Sequence, residues 1–197
     1  MMETSLQKRE LQTAYHEAGH IVTLYLLTGN IDRIDFVDII AKKGRLGVCK
    51  DKKNSHIREN KEIFDKFGEN EYFDIYDNIE YDTPEGFKTF FIEVCYALGG
   101  GISAMQYCGL KRLPRNSMGG DFDFINRFAE KVLPYKIDKS GIAYYPGLNS
   151  IIEAGTQFLK SLLSSYKARK KIKVIAEALL KYKKISKSKA YKLLREN

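Results

Sequence analysis

Two histidines near the start of the chain are separated by three residues, and a glutamate directly follows the first. Residues 13–27 read TAYHEAGHIVTLYLL, which places His16, Glu17 and His20 in an H-E-x-x-H pattern. On a helix, residues four apart lie on the same face, so both imidazoles can direct a ring nitrogen at one metal ion. Glu17 is rotated by about 100° from His16. The spacing therefore predicts a zinc site in which Glu17 is the base that takes a proton from an activated water molecule.

The same spacing also occurs on ordinary amphipathic helices that carry two surface histidines. Two features favour the zinc interpretation. Apolar residues recur at helical spacing, which predicts one helix from Ser5 to Thr28 that ends at Gly29. Ala18 and Gly19 leave room for another backbone or a substrate. Because a glycine inside a helix is destabilising by roughly 1 kcal/mol, its presence indicates such a close approach.

A third ligand must come from elsewhere in the chain. A metzincin would need a glycine at position 23 and a histidine at position 26, where this sequence has Thr23 and Leu26. His56 is the only other histidine, and its lysine-rich polar surroundings indicate a surface residue. A carboxylate is then required. The residues alone leave these candidates open: Glu85, Glu93, Asp121 and Asp123.

The elements around this first helix follow from turn and capping signals. Runs of β-branched residues on either side of KKGR predict a hairpin over residues 31–50. Thr83 and Pro84 predict the cap and first residue of a second helix, interrupted or bent by the glycines at 99–101 and continuing to residue 107. A third helix is predicted to begin at Asp121, for which the simplest role is an N-cap. Two more helices, with a break near Ser164, and a short one from Ser186 complete the chain.

Together these elements predict a mostly α fold of the α+β kind, a zincin-like helical domain with a small sheet. A chain of 197 residues is long enough to bury one core without metal or disulfide staples. We therefore expect a single domain over residues 1–197. Its zinc-site part would be 1–134, with a polar, acidic insert over about 51–83 and a short helix near 59–67. Residues 147–197 would form basic C-terminal helices.

The basic charge of the chain is concentrated in its C-terminal part. Residues 160–197 contain thirteen Lys or Arg and two Glu, a net charge of +11, whereas the whole chain carries +8. Residues 69–86, in contrast, contain seven acidic residues and no Lys or Arg. A basic tail of this kind suits nucleic acid, an anionic membrane surface or an acidic partner, but a solvated helix face is the simpler interpretation.

The cysteine spacing and the hydropathy of the sequence indicate the cellular compartment in which the protein is expected. Cys49, Cys95 and Cys108 are widely spaced and form no C-x-x-C pair, which predicts small buried hydrophobes in a reducing compartment. The longest charge-free apolar run, residues 94–110, is shorter than the roughly 20 residues of a membrane-spanning helix. No apolar signal segment opens the sequence. We therefore expect a cytoplasmic protein without a transmembrane segment.

Residues 13–22 resemble the zinc helix of the FtsH-type peptidase domain, the peptidase part of the AAA ATP-dependent zinc proteases, whose usual form is close to AYHEAGHAL. Four further segments resemble that family in the same order along the chain. They are residues 31–48, with the R-x-x-L-G-like end; 94–109, similar to LGGRAAEELxFG; 117–132, similar to GASNDLxxATxxAR; and 172–186, similar to LxxLAxALLExETL.

The resemblance implies a zinc metalloendopeptidase and indicates its third ligand. The family ligand is the aspartate of the N-D-L step, which falls on Asp121 when the segment is aligned at Phe128 and Ala129, while a two-residue slip would select Asp123. The implied metal set is His16, His20 and Asp121 around Zn²⁺, with Glu17 as catalytic base. The implied substrate is a polypeptide in an unfolded or flexible segment.

The sequence also departs from the family. It contains no G-x-x-x-x-G-K-[ST] motif, so ATP dependence does not carry over, and a separate ATPase partner or a homo-oligomeric ring becomes the expectation. The arginine and paired glutamates of GGRAAEE are replaced by Gly101, Ala104 and Met105. These replacements leave a second hypothesis open. The chain would then be a weak or inactive zinc-binding scaffold or regulatory subunit that acts on an ATPase or nucleic acid through its basic tail.

Overall fold

The computed structural model describes residues 5–40, 47–51, 83–114, 118–133, 136–137, 139 and 143–197. Within these ranges the protein is mostly helical and has a small three-stranded antiparallel sheet, which confirms the predicted mostly α class. The predicted short helix near 59–67, His56 and most of the acidic stretch 69–86 lie outside the described residues.

Six helices are present in the described ranges. They are α1 (Ser5–Thr28), α2 (Pro84–Tyr107), α3 (Gly119–Val132), α4 (Leu148–Ser164), α5 (Tyr166–Tyr182) and α6 (Lys187–Glu196). The bounds predicted for α1 are confirmed, and its chain leaves the helix at Gly29, which adopts a left-handed φ of 78°. The predicted break between α4 and α5 is also confirmed, because Ser165 ends one helix and caps the next through its side chain.

The close contact between α1 and α2 builds the centre of the molecule. A Cβ atom on Gly19 would lie 2.3 Å from the carbonyl oxygen of Gly99 and 2.5 Å from Cβ of Ser103. The two helix backbones therefore touch at Gly19, as the glycine in the H-E-x-x-H segment predicted. Around this crossing, both helices bury their apolar faces in one core shared with α5.

Helix α2 begins as predicted, but it does not stop at its glycines. Pro84 is the first residue, and the Thr83 side chain accepts a hydrogen bond from the Gly86 N–H. The helix then continues without interruption through Gly99 to Tyr107, so the predicted interruption at 99–101 is wrong. The reason is packing: these glycines face α1 and α3 at distances that no side chain would fit, and the contacts stabilise helical backbone that glycine alone disfavours.

The three-stranded sheet has the order β2-β1-β5, where β1 is Ile34–Asp38, β2 is Val48–Asp51 and β5 is Lys184–Ser186. Strands β1 and β2 pair antiparallel, which confirms the hairpin predicted over residues 31–50. Strand β5 was not predicted, because three residues flanked by lysines carry no alternation pattern. A second ladder pairs β3 (Lys136–Ile137) with β4 (Ala143–Tyr144) between α3 and α4.

Helix α3 begins two residues earlier than predicted. Met118 is its N-cap residue and makes no side-chain capping bond, so Asp121 lies inside the first turn and is not the N-cap. The Asp121 carboxylate is thus available to another element of the fold. No helix in the described part of the chain combines the length and apolarity that crossing a membrane would require.

Candidate metal centre

The side chains of His16, His20 and Asp121 converge at the junction of α1 and α3. Nε2 of His16 lies 3.0 Å from Nε2 of His20. One carboxylate oxygen of Asp121 lies 3.2 Å from Nε2 of His16, and the other lies 3.4 Å from Nε2 of His20. Both histidines are buried, and the Asp121 side chain is about one-fifth exposed. Within the described residues, this is the group of three side chains that could hold a metal ion.

The spacing of these atoms fits one small metal ion. Zinc binds histidine nitrogen and carboxylate oxygen at about 2.0–2.2 Å with tetrahedral geometry, so two ligand atoms are separated by roughly 3.3–3.5 Å. The 3.0 Å between the two histidine nitrogens and the 3.2 Å between Nε2 of His16 and one Asp121 oxygen lie just below that edge length, and the 3.4 Å separation joins Nε2 of His20 to the other oxygen. Two nitrogens and one carboxylate oxygen also leave one tetrahedral position for water or substrate, as catalytic sites require.

The orientation of His20 is fixed from its other ring nitrogen. Nδ1 of His20 donates a hydrogen bond of 2.8 Å to the backbone carbonyl of Tyr96 on α2. With its proton on Nδ1, the ring presents an unprotonated Nε2 towards His16 and Asp121. A backbone carbonyl in this role is a common way to set the tautomer of a metal-binding histidine.

The second histidine is held differently. Nδ1 of His16 is buried and has no hydrogen-bond partner among the described residues. Burial by itself lowers the pKa of His16, but the hydrogen bond with Asp121 and the negative charges of Glu17 and Asp121 outweigh burial and raise that pKa. The two carboxylates thus favour a positive charge at this position.

A missing side chain on α2 makes room for the ligand atoms. A Cβ atom on Gly100 would lie 2.5 Å from Nε2 of His20 and 2.8 Å from Nε2 of His16. Every residue other than glycine would therefore place a carbon against the two atoms that must reach a metal. The three glycines were predicted to interrupt or bend the helix; the middle one lies directly beside the two histidine nitrogens.

The neighbouring glycine positions the helix that carries Asp121. A Cβ atom on Gly101 would lie 2.0 Å from Sδ of Met118, whose side chain is fully buried. Met118 is the residue from which α3 starts, three positions before Asp121. The packing of Met118 into the space at Gly101 is one of the contacts that hold α3 against α2 beside the histidines. Gly101 is one of the positions at which the sequence departs from the FtsH-type pattern.

Glu17 is buried on the side of α1 that faces the hairpin. Its exposed fraction is 5%. Its pKa is raised to about 7, chiefly by burial, and the negative charges of Asp121 and Asp38 raise it further. The charge of His16 and a hydrogen bond from the Cys49 N–H act in the opposite direction and lower the pKa. A Cβ atom on Gly47 would lie 2.8 Å from Oε1 of Glu17, so the residue directly before β2 covers the carboxylate. A carboxyl group with this pKa can both accept and donate a proton near neutral pH.

The remaining carboxylate candidates lie elsewhere. Glu93 is buried but forms an ion pair with Arg33, with Oε1 and Nη1 2.5 Å apart. Asp123 is exposed on α3, and neither residue belongs to the three-residue group. Glu85 lies on α2, and its side chain is outside the described part of the structure. The structure therefore brings Asp121 to the two histidines, as the resemblance implied.

Several contributors to the site escaped sequence reasoning. The Tyr96 carbonyl and the Cys49 N–H are backbone groups, and no residue type signals them. Gly100 and Gly101 did carry a signal, because consecutive glycines inside an otherwise helical apolar run indicate close approach of other atoms.

In comparisons with known proteins, no family model matches the sequence, and no curated protein matches it significantly. A functional assignment therefore rests on the geometry of the site and on the sequence resemblance.

Proposed function

We propose that the protein is a zinc-dependent metalloendopeptidase with a zincin-like site similar to that of FtsH-type peptidase domains. The observation that carries the proposal is the convergence of His16, His20 and Asp121, with their ligand atoms 3.0–3.4 Å apart beside Gly100. Two of these residues come from α1 and one from α3, about a hundred positions later. Packing alone gives little reason to bury two imidazoles and a carboxylate against one another.

The division of roles follows from the contacts. His16, His20 and Asp121 would hold the metal, which supplies polarisation of a carbonyl group and acidification of water. Glu17 is the proposed base: its buried carboxylate takes a proton from the attacking water and returns it to the leaving amine. The Cys49 N–H holds this carboxylate by a hydrogen bond. The Tyr96 carbonyl keeps His20 in the tautomer that leaves Nε2 free for the ion.

The proposed substrate is a polypeptide in an unfolded or flexible segment. This choice rests on the resemblance to FtsH-type peptidase domains. The 197 residues themselves contain no Walker A motif, so this part of the protein by itself has no ATP-driven means of unfolding a stable substrate. A separate ATPase partner or a ring of identical chains would extend the substrate range, and a cytoplasmic location remains our prediction.

The decisive experiment measures bound zinc per chain and cleavage of an unstructured, fluorescently labelled protein. The wild type should bind one zinc ion and cleave. Glu17→Gln should keep the zinc and lose cleavage by a factor of about 10² or more, because general base catalysis contributes at least that much. Asp121→Ala should lose most of its zinc, while the matched control Asp123→Asn, on the same helix, should keep both properties. Equal cleavage by the wild type and Glu17→Gln would refute the proposed peptidase activity.

A second candidate is a zinc-binding scaffold or regulatory subunit without useful turnover. The burial of Glu17 under β2 favours it, since a base that is 5% exposed must be uncovered before water and substrate reach it. A wild type that binds one zinc ion per chain, yet cleaves none of a panel of unstructured substrates, would select this candidate. Its proposed partners are an ATPase or a nucleic acid bound through the basic C-terminal helices.

A further inference from the structure

A chain of buried contacts runs from the loop after α1 to the metal ligand His20. Arg33 lies just before β1, and its Nη1 donates a hydrogen bond of 2.5 Å to Oε1 of Glu93 on α2. The Arg33 guanidinium carbon also lies 4.0 Å from the ring centroid of Tyr96. Tyr96 is three residues after Glu93, so both side chains belong to the same face of α2. Arg33 thus holds two successive turns of α2 at once.

The same tyrosine contacts His20 in two ways. Its backbone carbonyl accepts the hydrogen bond from Nδ1 of His20, and its ring centroid lies 5.3 Å from the centroid of the imidazole. Tyr96 is therefore the element through which a displacement of Arg33 or Glu93 reaches His20. The Glu93 side chain is 6% exposed and that of Arg33 is 20% exposed, so both charges are largely withdrawn from water.

We propose that Arg33 and Glu93 are positioning residues for the metal centre. They hold Tyr96 so that its carbonyl fixes the tautomer and direction of His20. Neither residue is one of the three proposed ligands, and neither is assigned a role by the H-E-x-x-H pattern. This inference rests on the proposed metal centre, because positioning of His20 matters for a function only if His20 binds an ion.

A buried ion pair could instead only stabilise the fold. The effect of replacing one or both of its partners distinguishes this structural role from the positioning role. Removing one partner leaves the other charge buried and destabilises a protein strongly, whereas replacing both by apolar residues of similar volume is often neutral or stabilising. A purely structural pair should therefore be replaceable by two apolar side chains without consequence for the site. A positioning pair should not, because two apolar side chains lose the planar cation that lies against Tyr96.

The test compares the double variant Arg33→Met/Glu93→Met with the wild type and with two single variants. Arg33→Lys keeps the charge opposite Glu93 but loses the planar group. We expect it to fold, so it tests the positioning role even if the double variant does not fold. Asp32→Asn is the matched control: it removes the ion pair that the adjacent residue forms with Lys187, where Asp32 is 78% exposed. Each protein is examined for thermal stability, for zinc affinity by chelator competition, and for the histidine tautomers of the metal-free form.

The tautomer is read from ¹⁵N spectra of the imidazoles, and the chain has only three histidines to assign. In the wild type, we expect the His20 proton on Nδ1. In the double variant, we expect a mixture of tautomers and a zinc dissociation constant raised about tenfold, as is typical when a group behind a metal ligand is lost. Arg33→Lys should shift both quantities less, in the same direction, and Asp32→Asn should shift neither.

Two results would overturn this inference, and they are distinguishable. If the wild type binds zinc while the double variant and Arg33→Lys keep its affinity and its tautomer, the positioning role is wrong and the metal centre stands. If the wild type itself binds no zinc, the metal centre is wrong, and the role of Arg33 and Glu93 fails with it.

Discussion

Gly100 of α2 lies so close to His20 that a Cβ atom at position 100 would be 2.5 Å from Nε2 of the imidazole. The same Cβ atom would be 2.8 Å from Nε2 of His16. These are the two atoms that the proposed metal needs, so the absence of a side chain at one position on α2 leaves the space that the centre occupies.

Replacement of this glycine by alanine should therefore act on metal binding more than on the fold. In Gly100→Ala the methyl group meets both imidazoles, and we expect zinc affinity to fall at least tenfold. Alanine should offset part of the packing strain, since it favours a helix over glycine by about 1 kcal/mol. Chelator competition and thermal unfolding measure the two effects. Gly119→Ala, whose methyl group would meet nothing within 4 Å, is the control and should leave zinc affinity unchanged.

Gly101 and Met118 form a pair that can be tested by compensation. In Gly101→Ala the new methyl group would overlap the Met118 sulfur, so we expect α3 to move outward, stability to fall by about 1–3 kcal/mol as in overpacked cores, and zinc affinity to fall with it. The double variant Gly101→Ala/Met118→Ala removes the overlap and should recover part of both losses. A single Met118→Ala variant shows the cost of the cavity alone. If the double variant is no better than the sum of the single variants, the two residues do not act as a pair.

The buried carboxyl group of Glu17 gives the metal-free protein a defined pH dependence. Its pKa rises from 4.5 in the unfolded chain to about 7 in the folded protein, chiefly through burial. Between these values the unfolded chain has lost the proton that the folded protein retains, so stability falls as pH rises and then levels off above 7. The shift corresponds to about 3 kcal/mol.

Glu17→Gln removes this titration. The metal-free variant should be more stable than the metal-free wild type above pH 7, by up to about 3 kcal/mol. The difference should shrink as pH falls and vanish below about pH 4.5. Urea unfolding across this range measures it, with the zinc removed by a chelator. A difference that stays constant with pH would show that the carboxyl group is not held in its neutral form by the fold.

The basic C-terminal helices allow a test of the second candidate. Most of the lysines and arginines of α5 and α6 are exposed. Two of them, Lys181 and Lys189, lie against the ring of Tyr182. If this surface binds a nucleic acid, affinity for single-stranded DNA should fall steeply with rising salt and fall again in Lys181→Gln/Lys189→Gln. Undetectable binding at low salt would indicate a solvated helix face.

The parts of this protein that sequence reasoning anticipated are those governed by local rules. The bounds of α1, the Thr83 cap and the hairpin follow from periodicity, capping and turn residues, and each is confirmed. The simplest alternative role for Asp121, an N-cap, is wrong, because α3 begins two residues earlier, after Met118, which packs against Gly101. A local rule cannot detect a contact between two helices.

The same limit explains the missing part of the site. The H-E-x-x-H spacing placed His16, Glu17 and His20 on one helix, but residue types left four carboxylates as possible third ligands. The choice of Asp121 depended on the resemblance of its segment to the FtsH-type pattern. The Tyr96 carbonyl and the Cys49 N–H, which hold His20 and Glu17, are backbone groups that residue types cannot predict. Strand β5 was also missed, since its partner β1 lies far away along the chain.

This last strand has a consequence for the order in which the protein becomes complete during synthesis. An isolated two-stranded hairpin is marginally stable, and a third strand is what usually secures it. Here that strand is β5, which emerges from the ribosome only after α1, α3 and α5. A nascent chain that ends at α5 already contains His16, His20 and Asp121, but the sheet whose Cys49 N–H holds Glu17 has only two strands. If the proposed centre binds metal, all three of its ligands are present in the nascent chain before a third strand can secure the sheet that holds the proposed base.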